Sequence, residues 1–448
     1  MNPTGPEYLD MPVHNPEADR IAKGKKAEDL SSLFLVLLLF IVGLLCFFMP
    51  VFSYHIMLDV IVGVLVLYGL FLIFLYFYRG RSSRMDLLFG FFAIIFAGIL
   101  LFNVNLPEWI IRVCFGWYCF GVSLVMLVQI VIHQNNGVKI RPTAILLSLI
   151  YGILGIILLL THIVNTETLI RLFGVYFILL ASRMIIGLLD THSAKYKWKR
   201  GIYISLPTLL ATMLPDAALR TINSKIRSGQ DYGMEQVKRD VPAKLKVMVH
   251  IGEEGFQKVG HFTFAWKGIV YSYGNYDAKS ERFFSLLGDG VYFTVPMELY
   301  IPALVKYEHN TLFEYTIQTT EEQDRMIESQ LEALKERSVR WYCDLEREGT
   351  SRRLGHYESD YPCRLHYRTG AKFYKLKNGA FKTYWVAGDN CVLFSDVILG
   401  NIGADVLSLR GIVTPGAYFD YLENEYLKEN SPIIERRVYS FAASQDGI

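Results

Sequence analysis

Cysteine is scarce in this chain, and extended runs of a single charge are missing from it. The six cysteines fall into two unequal settings: Cys46, Cys114 and Cys119 lie in apolar segments, and Cys343, Cys363 and Cys391 lie in the polar remainder. An odd number without regular spacing excludes a disulfide framework and a zinc site, so a reducing compartment is expected and no cofactor or metal is called for. With a net charge of +2 and no long Lys/Arg block, nucleic acid is not an expected partner. A signal peptide pattern is lacking too. Residues 1–30 are polar and carry Pro3, Pro6, Pro12 and Pro16, which predicts a disordered cytosolic lead-in. The apolar run that follows is too long for a signal h-region and has no small-residue cleavage site.

What is present in quantity is apolar surface. Of the 448 residues, 52% are hydrophobic, with a mean hydropathy of +0.27. Up to Arg200 the chain has a net charge of +5, and the remainder has −3. Six stretches near 32–51, 55–78, 86–103, 109–132, 143–163 and 167–189 approach the ~20 residues a bilayer crossing needs. Basic residues alternate between the connections. Lys23, Lys25 and Lys26 precede the first stretch, Arg79, Arg81 and Arg84 follow the second, Lys139 and Arg141 the fourth, and Lys195, Lys197 and Lys199 the sixth. The positive-inside rule therefore predicts a multi-pass protein of the cell membrane with both termini cytoplasmic.

The membrane part, 31–190, reads as three copies of a hairpin. Gly98 leads through Glu108 and Arg112 to Gly116, Gly155 leads through Glu167 and Arg171 to Gly174, and a weaker copy runs from Gly43 through Asp59 to Gly63. The leading glycines stand 55 and 57 residues apart, a regularity that marks an internal repeat. In this the segment resembles the HdeD-like acid-resistance membrane proteins, and the resemblance implies a compact six-helix bundle. Glu108 with Arg112 and Glu167 with Arg171 form i,i+4 pairs suited to a helix terminus. One Asp and two helix-end Glu residues are too few for an ion pathway, so a transporter ranks last.

Residues 191–243 read as a linker with an amphipathic segment over 204–240, whose most apolar part, Leu206 to Pro215, is expected on the membrane surface and is broken by Pro207 and Pro215. From 244 to 448 the pattern is that of an α+β domain. Leu245, Val247 and Val249 alternate as a strand, Gly260–Trp266 forms another, and Lys267-Gly268 turns the chain into Ile269–Tyr273. Thr320-Glu321-Glu322-Gln323 is a capping box that opens a helix to about Arg337. The polar stretch 346–367 reads as a loop, Phe373–Leu376 and Phe381–Val386 as strands, and Cys391–Leu399 as a short helix.

Two residues in this domain point to chemistry. Cys391 opens a helix, where the dipole favours a thiolate, and His261 lies on a hairpin strand 130 residues earlier. With Lys267-Gly268 as the turn, Trp266 faces Ile269 and His261 faces Gly274, so Ser272 and Tyr276 share the histidine's face. Asp277 reaches that face only if the strand bulges at Gly274. The residue that orients the imidazole is thus Ser272 or Asp277.

A strand histidine followed far downstream by Asp389-Asn390-Cys391, with Tyr271-Ser272-Tyr273-Gly274-Asn275-Tyr276-Asp277 after the turn, resembles the permuted papain-like fold. That fold is shared by NlpC-type peptidases and lecithin:retinol acyltransferase-like enzymes, and the likeness is greatest to bacterial lipoprotein N-acyltransferases. The resemblance implies Cys391 as nucleophile, His261 as base and Asp277 as third residue. It also implies a membrane-anchored thiol acyltransferase or hydrolase acting on a lipid-linked or membrane-protein substrate at the bilayer. Those relatives work outside the cytoplasmic membrane, whereas the charge pattern here places the domain inside. The alternative is a non-enzymatic, stress-related membrane protein with a cytosolic partner-binding domain.

Overall fold

Uninterrupted runs of Leu, Ile, Val and Phe form helices whose backbone polar groups are satisfied internally, the condition for entering lipid. The computed structural model describes residues 33–78, 84–103, 105–161, 164–191, 202–203, 213–227, 235–252, 258, 260–349, 355–399, 405–406, 414–428 and 431–440. The predicted lead-in over 1–30 lies outside them. The membrane part contains α1 (Leu33–Phe48), α2 (Pro50–Tyr78), α3 (Arg84–Phe102), α4 (Asn105–Asn135), α5 (Pro142–Leu160) and α6 (Thr166–Thr191). Four of these, α2 to α5, are long and apolar enough to cross a bilayer. Helix α1 is apolar but, at roughly 24 Å, shorter than the ~30 Å hydrocarbon core. Helix α6 carries Glu167, Arg171, Arg183 and Asp190, and Glu167 pairs with Arg171 at 3.5 Å. Large apolar side chains such as Leu67, Phe74, Phe92 and Leu146 stand on the outside of the helices, a surface suited to lipid.

Close packing between these helices depends on glycine. A Cβ added at Gly69 would lie 2.7 Å from the Gly90 carbonyl oxygen, joining α2 to α3, and one at Gly155 would lie 2.8 Å from the Phe120 amide and 3.0 Å from the Gly116 oxygen, joining α5 to α4. Gly174 meets the Gly43 oxygen at 2.6 Å in the same sense, joining α6 to α1. Such contacts let backbones approach where lipid offers no hydrophobic drive to associate. Two of the three glycine junctions therefore link the end of one sequence repeat to the start of another. At the third, Gly63 and Gly98 have open space, and the contact moves to Gly69 and Gly90. Across α4 and α5, Ser123 Oγ also donates to the Ser148 carbonyl at 2.8 Å.

The sheet-rich part is built on a nine-stranded antiparallel sheet. After a short strand β1 (Ile202–Tyr203) and helix α7 (Leu214–Arg227) come β2 (Glu235–Val237), β3 (Leu245–Ile251), β4 (His261–Trp266) and β5 (Ile269–Gly274). Then follow β6 (Leu287–Asp289), β7 (Val291–Pro296), α8 (Met297–Tyr307), β8 (Thr311–Ile317), α9 (Glu321–Glu336), β9 (Ser338–Trp341) and α10 (Asp344–Arg347). The chain ends with α11 (Tyr361–Thr369), β10 (Lys372–Leu376), β11 (Thr383–Trp385), α12 (Cys391–Leu399), β12 (Asp405–Val406), α13 (Pro415–Leu427) and β13 (Ile433–Tyr439). Strand order in the large sheet is β2-β13-β8-β3-β4-β5-β7-β10-β9, while β6 and β11 form a separate ribbon.

Both faces of the sheet are covered. On one, Phe262, Phe264, Tyr273 and Tyr315 pack against Ile222 of α7, Ile327 of α9, Val392 and Phe394 of α12, and Tyr418 and Leu422 of α13. On the other, Met248, Ala265, Val270 and Phe293 pack against Tyr300 and Leu304 of α8 and Leu365 of α11. The local signals are met: Lys267 and Gly268 both have positive φ (49° and 80°), as a tight hairpin turn requires, and Thr320 with Gln323 forms the capping box of α9. Leu219 and Ile222 are buried against the sheet, so α7 belongs to the core of the sheet-rich part, while most of the apolar stretch 206–215 expected at the membrane surface lies outside the described residues. One expectation changes. The expected loop 346–367 contains the start of α11, where the side chain of Asp360 accepts the Cys363 amide as a cap and Leu365 is buried.

Candidate active site

The chain enters α12 through a loop held by hydrogen bonds of Asp389 and Asn390. Asn390 caps the helix, its Oδ1 accepting the amides of Val392 and Leu393 at 3.1 Å each, while its Nδ2 donates to the Val386 carbonyl at 3.0 Å. A polar side chain at this position satisfies two of the amides that a helix start leaves unpaired. Asp389 is 1% exposed and accepts from Gln129 Nε2 at 2.9 Å, with His133 Nε2 at 3.3 Å, both on α4. The loop is thereby fastened to the end of a membrane helix. Cys391 follows as the first residue of α12.

The Cys391 sulfur is buried in the core that holds Phe262, Tyr273 and Phe394, with the backbone amides of Phe262, Val392 and Cys391 close to it. These amides favour a thiolate, but burial outweighs them and pushes the thiol up to about 11. The resting sulfur is a neutral thiol.

His261 opens β4. Thr263 pairs with Ser272, so the register places His261 opposite Gly274, as the two-residue turn predicts. Its Nε2 lies 2.8 Å from Ser272 Oγ and 3.1 Å from the Tyr276 hydroxyl, and those two oxygens are 2.8 Å apart. Burial lowers the imidazole to about 4, so it too is neutral at physiological pH.

Asp277 does not take part. Its carboxylate accepts from Lys375 Nζ at 2.6 Å and from the Lys279 amide at 3.1 Å, capping the short turn Ala278–Ser280. Lys375, held also by Asp289 at 2.6 Å, draws it away, and no bulge at Gly274 turns it back, because β5 stays in register with β7 from Ile269 to Gly274. Ser272, the other candidate, is the residue at the imidazole, together with Tyr276.

The histidine and the cysteine are neighbours without being bonded to each other. Side chains alternate along β4, so Phe262 and Phe264 point to the core that holds Cys391, while His261 and Thr263 point to the opposite face. The two groups come together at the strand start, where the amide of Phe262, the residue after His261, reaches the sulfur. Among the described residues, the hydrogen-bond partners of the imidazole are Ser272 and Tyr276.

On the histidine's side opens a cleft of about 480 Å³, lined among others by His250, His261, Tyr276, Glu308, Tyr361 and Arg364. Glu308 is neutralised by Arg364 and Arg368, each at 2.8 Å. His250 is a residue that sequence reasoning passed over. It is the register partner of His261 across β3 and β4, its ring stands edge-on at 5.7 Å, and its Nε2 bonds Thr263 Oγ1 at 2.8 Å. Burial and the neighbouring His261 hold it well below the usual histidine range. The alternation of β3 marked its face, but only the pairing of β3 with β4 made the two histidines neighbours. No family model matches this chain, and no curated protein or solved structure matches it.

Proposed function

We propose that the chain is a membrane-anchored thiol enzyme, an acyltransferase or hydrolase working through an acyl-enzyme on Cys391. The observation that carries this reading is the placement of Cys391 at a helix start, beside the amide of the residue that follows a half-buried histidine. With Nε2–H donating to Ser272 or Tyr276, Nδ1 is the nitrogen left to take the thiol proton. The imidazole must turn toward the strand start to do so. Giving up its two hydrogen bonds costs about 1 kcal/mol each, small against the roughly 16 kcal/mol barrier of a turnover near 10 per second.

As Nδ1 takes the proton, the sulfur attacks an ester, thioester or amide carbonyl and a C–S bond forms. Amides now directed at the sulfur are placed to receive the oxyanion. Collapse breaks the bond to the leaving group, which takes the proton from His261, and the acyl group then passes to water or an amine. A papain-like descent for the domain, a bundle of six membrane helices and cytoplasmic termini belong to the same proposal, and a bilayer anchor favours a lipid-linked or membrane-protein substrate.

The test is covalent labelling of the full chain in membranes by a thiol-reactive acyl probe. Cys391→Ala should abolish labelling with insertion intact, His261→Gln should slow it roughly a hundredfold through loss of the base, and Asp277→Asn should leave it unchanged. Labelling that persists in Cys391→Ala overturns the proposal. One observation favours a partner-binding role without chemistry: among the described residues the imidazole of His261 is hydrogen-bonded to Ser272 and Tyr276 rather than to Cys391. That reading expects no labelling at Cys391 in the unmodified protein.

A further inference from the structure

The turn between Arg282 and Leu287 breaks two rules of a soluble surface at once. Phe283 and Phe284 are adjacent and exposed, at 73% and 94%. Phe283, Phe284 and Ser285 all have positive φ, 52°, 56° and 66°, a region that bulky residues avoid. Strain of this kind persists where the surroundings impose it and clusters at functional segments. The turn is closed by the bridge between Arg282 and Leu287 and by the Leu286 amide on the Phe283 carbonyl at 3.2 Å, so it is a built feature.

Its direction can be read from what it continues. The ribbon pairs Thr383 with Asp289 and Trp385 with Leu287, and the Val386 amide then donates to the Leu286 carbonyl at 3.1 Å. At one end of the ribbon Thr383 Oγ1 donates to Asn136 Oδ1 at 3.1 Å. At the other, the Trp385 amide bonds the Asp389 carbonyl at 3.2 Å, and Asp389 holds Gln129 and His133. Gly388, beside the Trp385 ring, abuts the Gln129 side chain. Gln129 stands seven residues before Asn136, roughly 10 Å further into the membrane part. The ribbon therefore climbs α4 toward the bilayer, and the turn from Phe283 to Leu286 caps its upper end.

The level reached is that of the membrane surface. From Trp109 to Val128 the only charged residue of α4 is Arg112, and 20 such residues span the ~30 Å core, so Gln129 marks the inner edge of the apolar stretch. We propose that the Phe283–Phe284 turn inserts into the interface of the bilayer that holds the helices. Aromatic rings suit this zone, and exposed Arg282 beside them suits lipid phosphates. Because Glu281 and Ser285 of the same segment line the cleft beside His261, the cleft then opens at the lipid surface. The inference goes beyond the thiol chemistry and does not depend on it.

The experiment is spin-label depth measurement on the full chain in vesicles of phosphatidylcholine and phosphatidylglycerol, in a Cys114→Ser background that removes the exposed native thiol. Labels at Phe284→Cys and, as a second variant should the first misfold, at Phe283→Cys are compared with one at Glu332→Cys on the exposed face of α9. The ratio of collision with dissolved oxygen to collision with a water-soluble nickel chelate should be at least threefold higher at 283 or 284 than at 332. Equal ratios overturn the proposal. So does spin–spin broadening at 284 that disappears on dilution with unlabelled protein, which places a second copy on the turn instead of lipid. A Cys391→Ala change leaves the depth ratio where it was, so the two proposals fail separately.

Discussion

His261 and His250 lie side by side, uncharged, on one face of the sheet, and this makes the sheet-rich part sensitive to acid. An unfolded histidine titrates near 6.5, whereas folded His261 holds out to about 4. Between those values the unfolded chain binds a proton that the folded chain refuses. Stability from this residue is therefore complete above pH 6.5 and is lost as pH falls toward 4, by about 2 kcal/mol at pH 5. His250 is shifted in the same direction by burial and adds to the loss. Denaturant melts of the full chain at pH 7 and pH 5 should show the drop, and His261→Gln should show a smaller one. An identical drop in the variant would mean that the acid sensitivity lies elsewhere. At the same scale, Asp277 shows how a single cation decides a role: Lys375, bonded at 2.6 Å, takes the carboxylate that sequence likeness had assigned to the imidazole.

Between elements, backbone contact between helices sets what each glycine tolerates. Gly155 has the Phe120 amide 2.8 Å from where a Cβ would go, and backbone cannot step aside as a side chain can. Gly155→Val should therefore separate α5 from α4 and lower stability in detergent by roughly 2 kcal/mol, within the range of overpacking. Gly98 has nothing within 4 Å, and Gly98→Ala should be neutral or slightly stabilising through its better helix propensity. Thermal aggregation midpoints of the two variants decide the matter, and equal effects would contradict the pairing of α4 with α5. The same helix α4 ends at Gly137, whose φ of 71° lets the Val138 amide close on the His133 carbonyl at 2.8 Å. That stop sets His133 against Asp389 of the loop before Cys391 and Asn136 against Thr383 of β11, and ties the two parts of the chain together.

For the whole molecule, the charge pattern predicts that the sheet-rich part lies in the cytosol. A reporter fused after Ile448 that is active only there would bear this out, and activity only outside would place the proposed acyl chemistry with external lipid-linked substrates. Local rules made much of the architecture legible. Period-two alternation marked β3 and β4, the Lys267-Gly268 turn set the register that puts Ser272 and Tyr276 beside His261, the capping box began α9, and long apolar runs marked α2 to α5. These follow from bonds and side-chain directions within a few residues, so sequence alone determines them. Contacts between distant residues were not legible in this way. The pairing of β3 with β4 that brings His250 to His261, the capture of Asp277 by Lys375, the burial of α7 against the sheet and the clasp of Gln129 and His133 on Asp389 arise only when the sheet and helix α4 assemble. The tertiary structure decided these, because such contacts depend on where separate segments dock and on which partner each buried charge finds there.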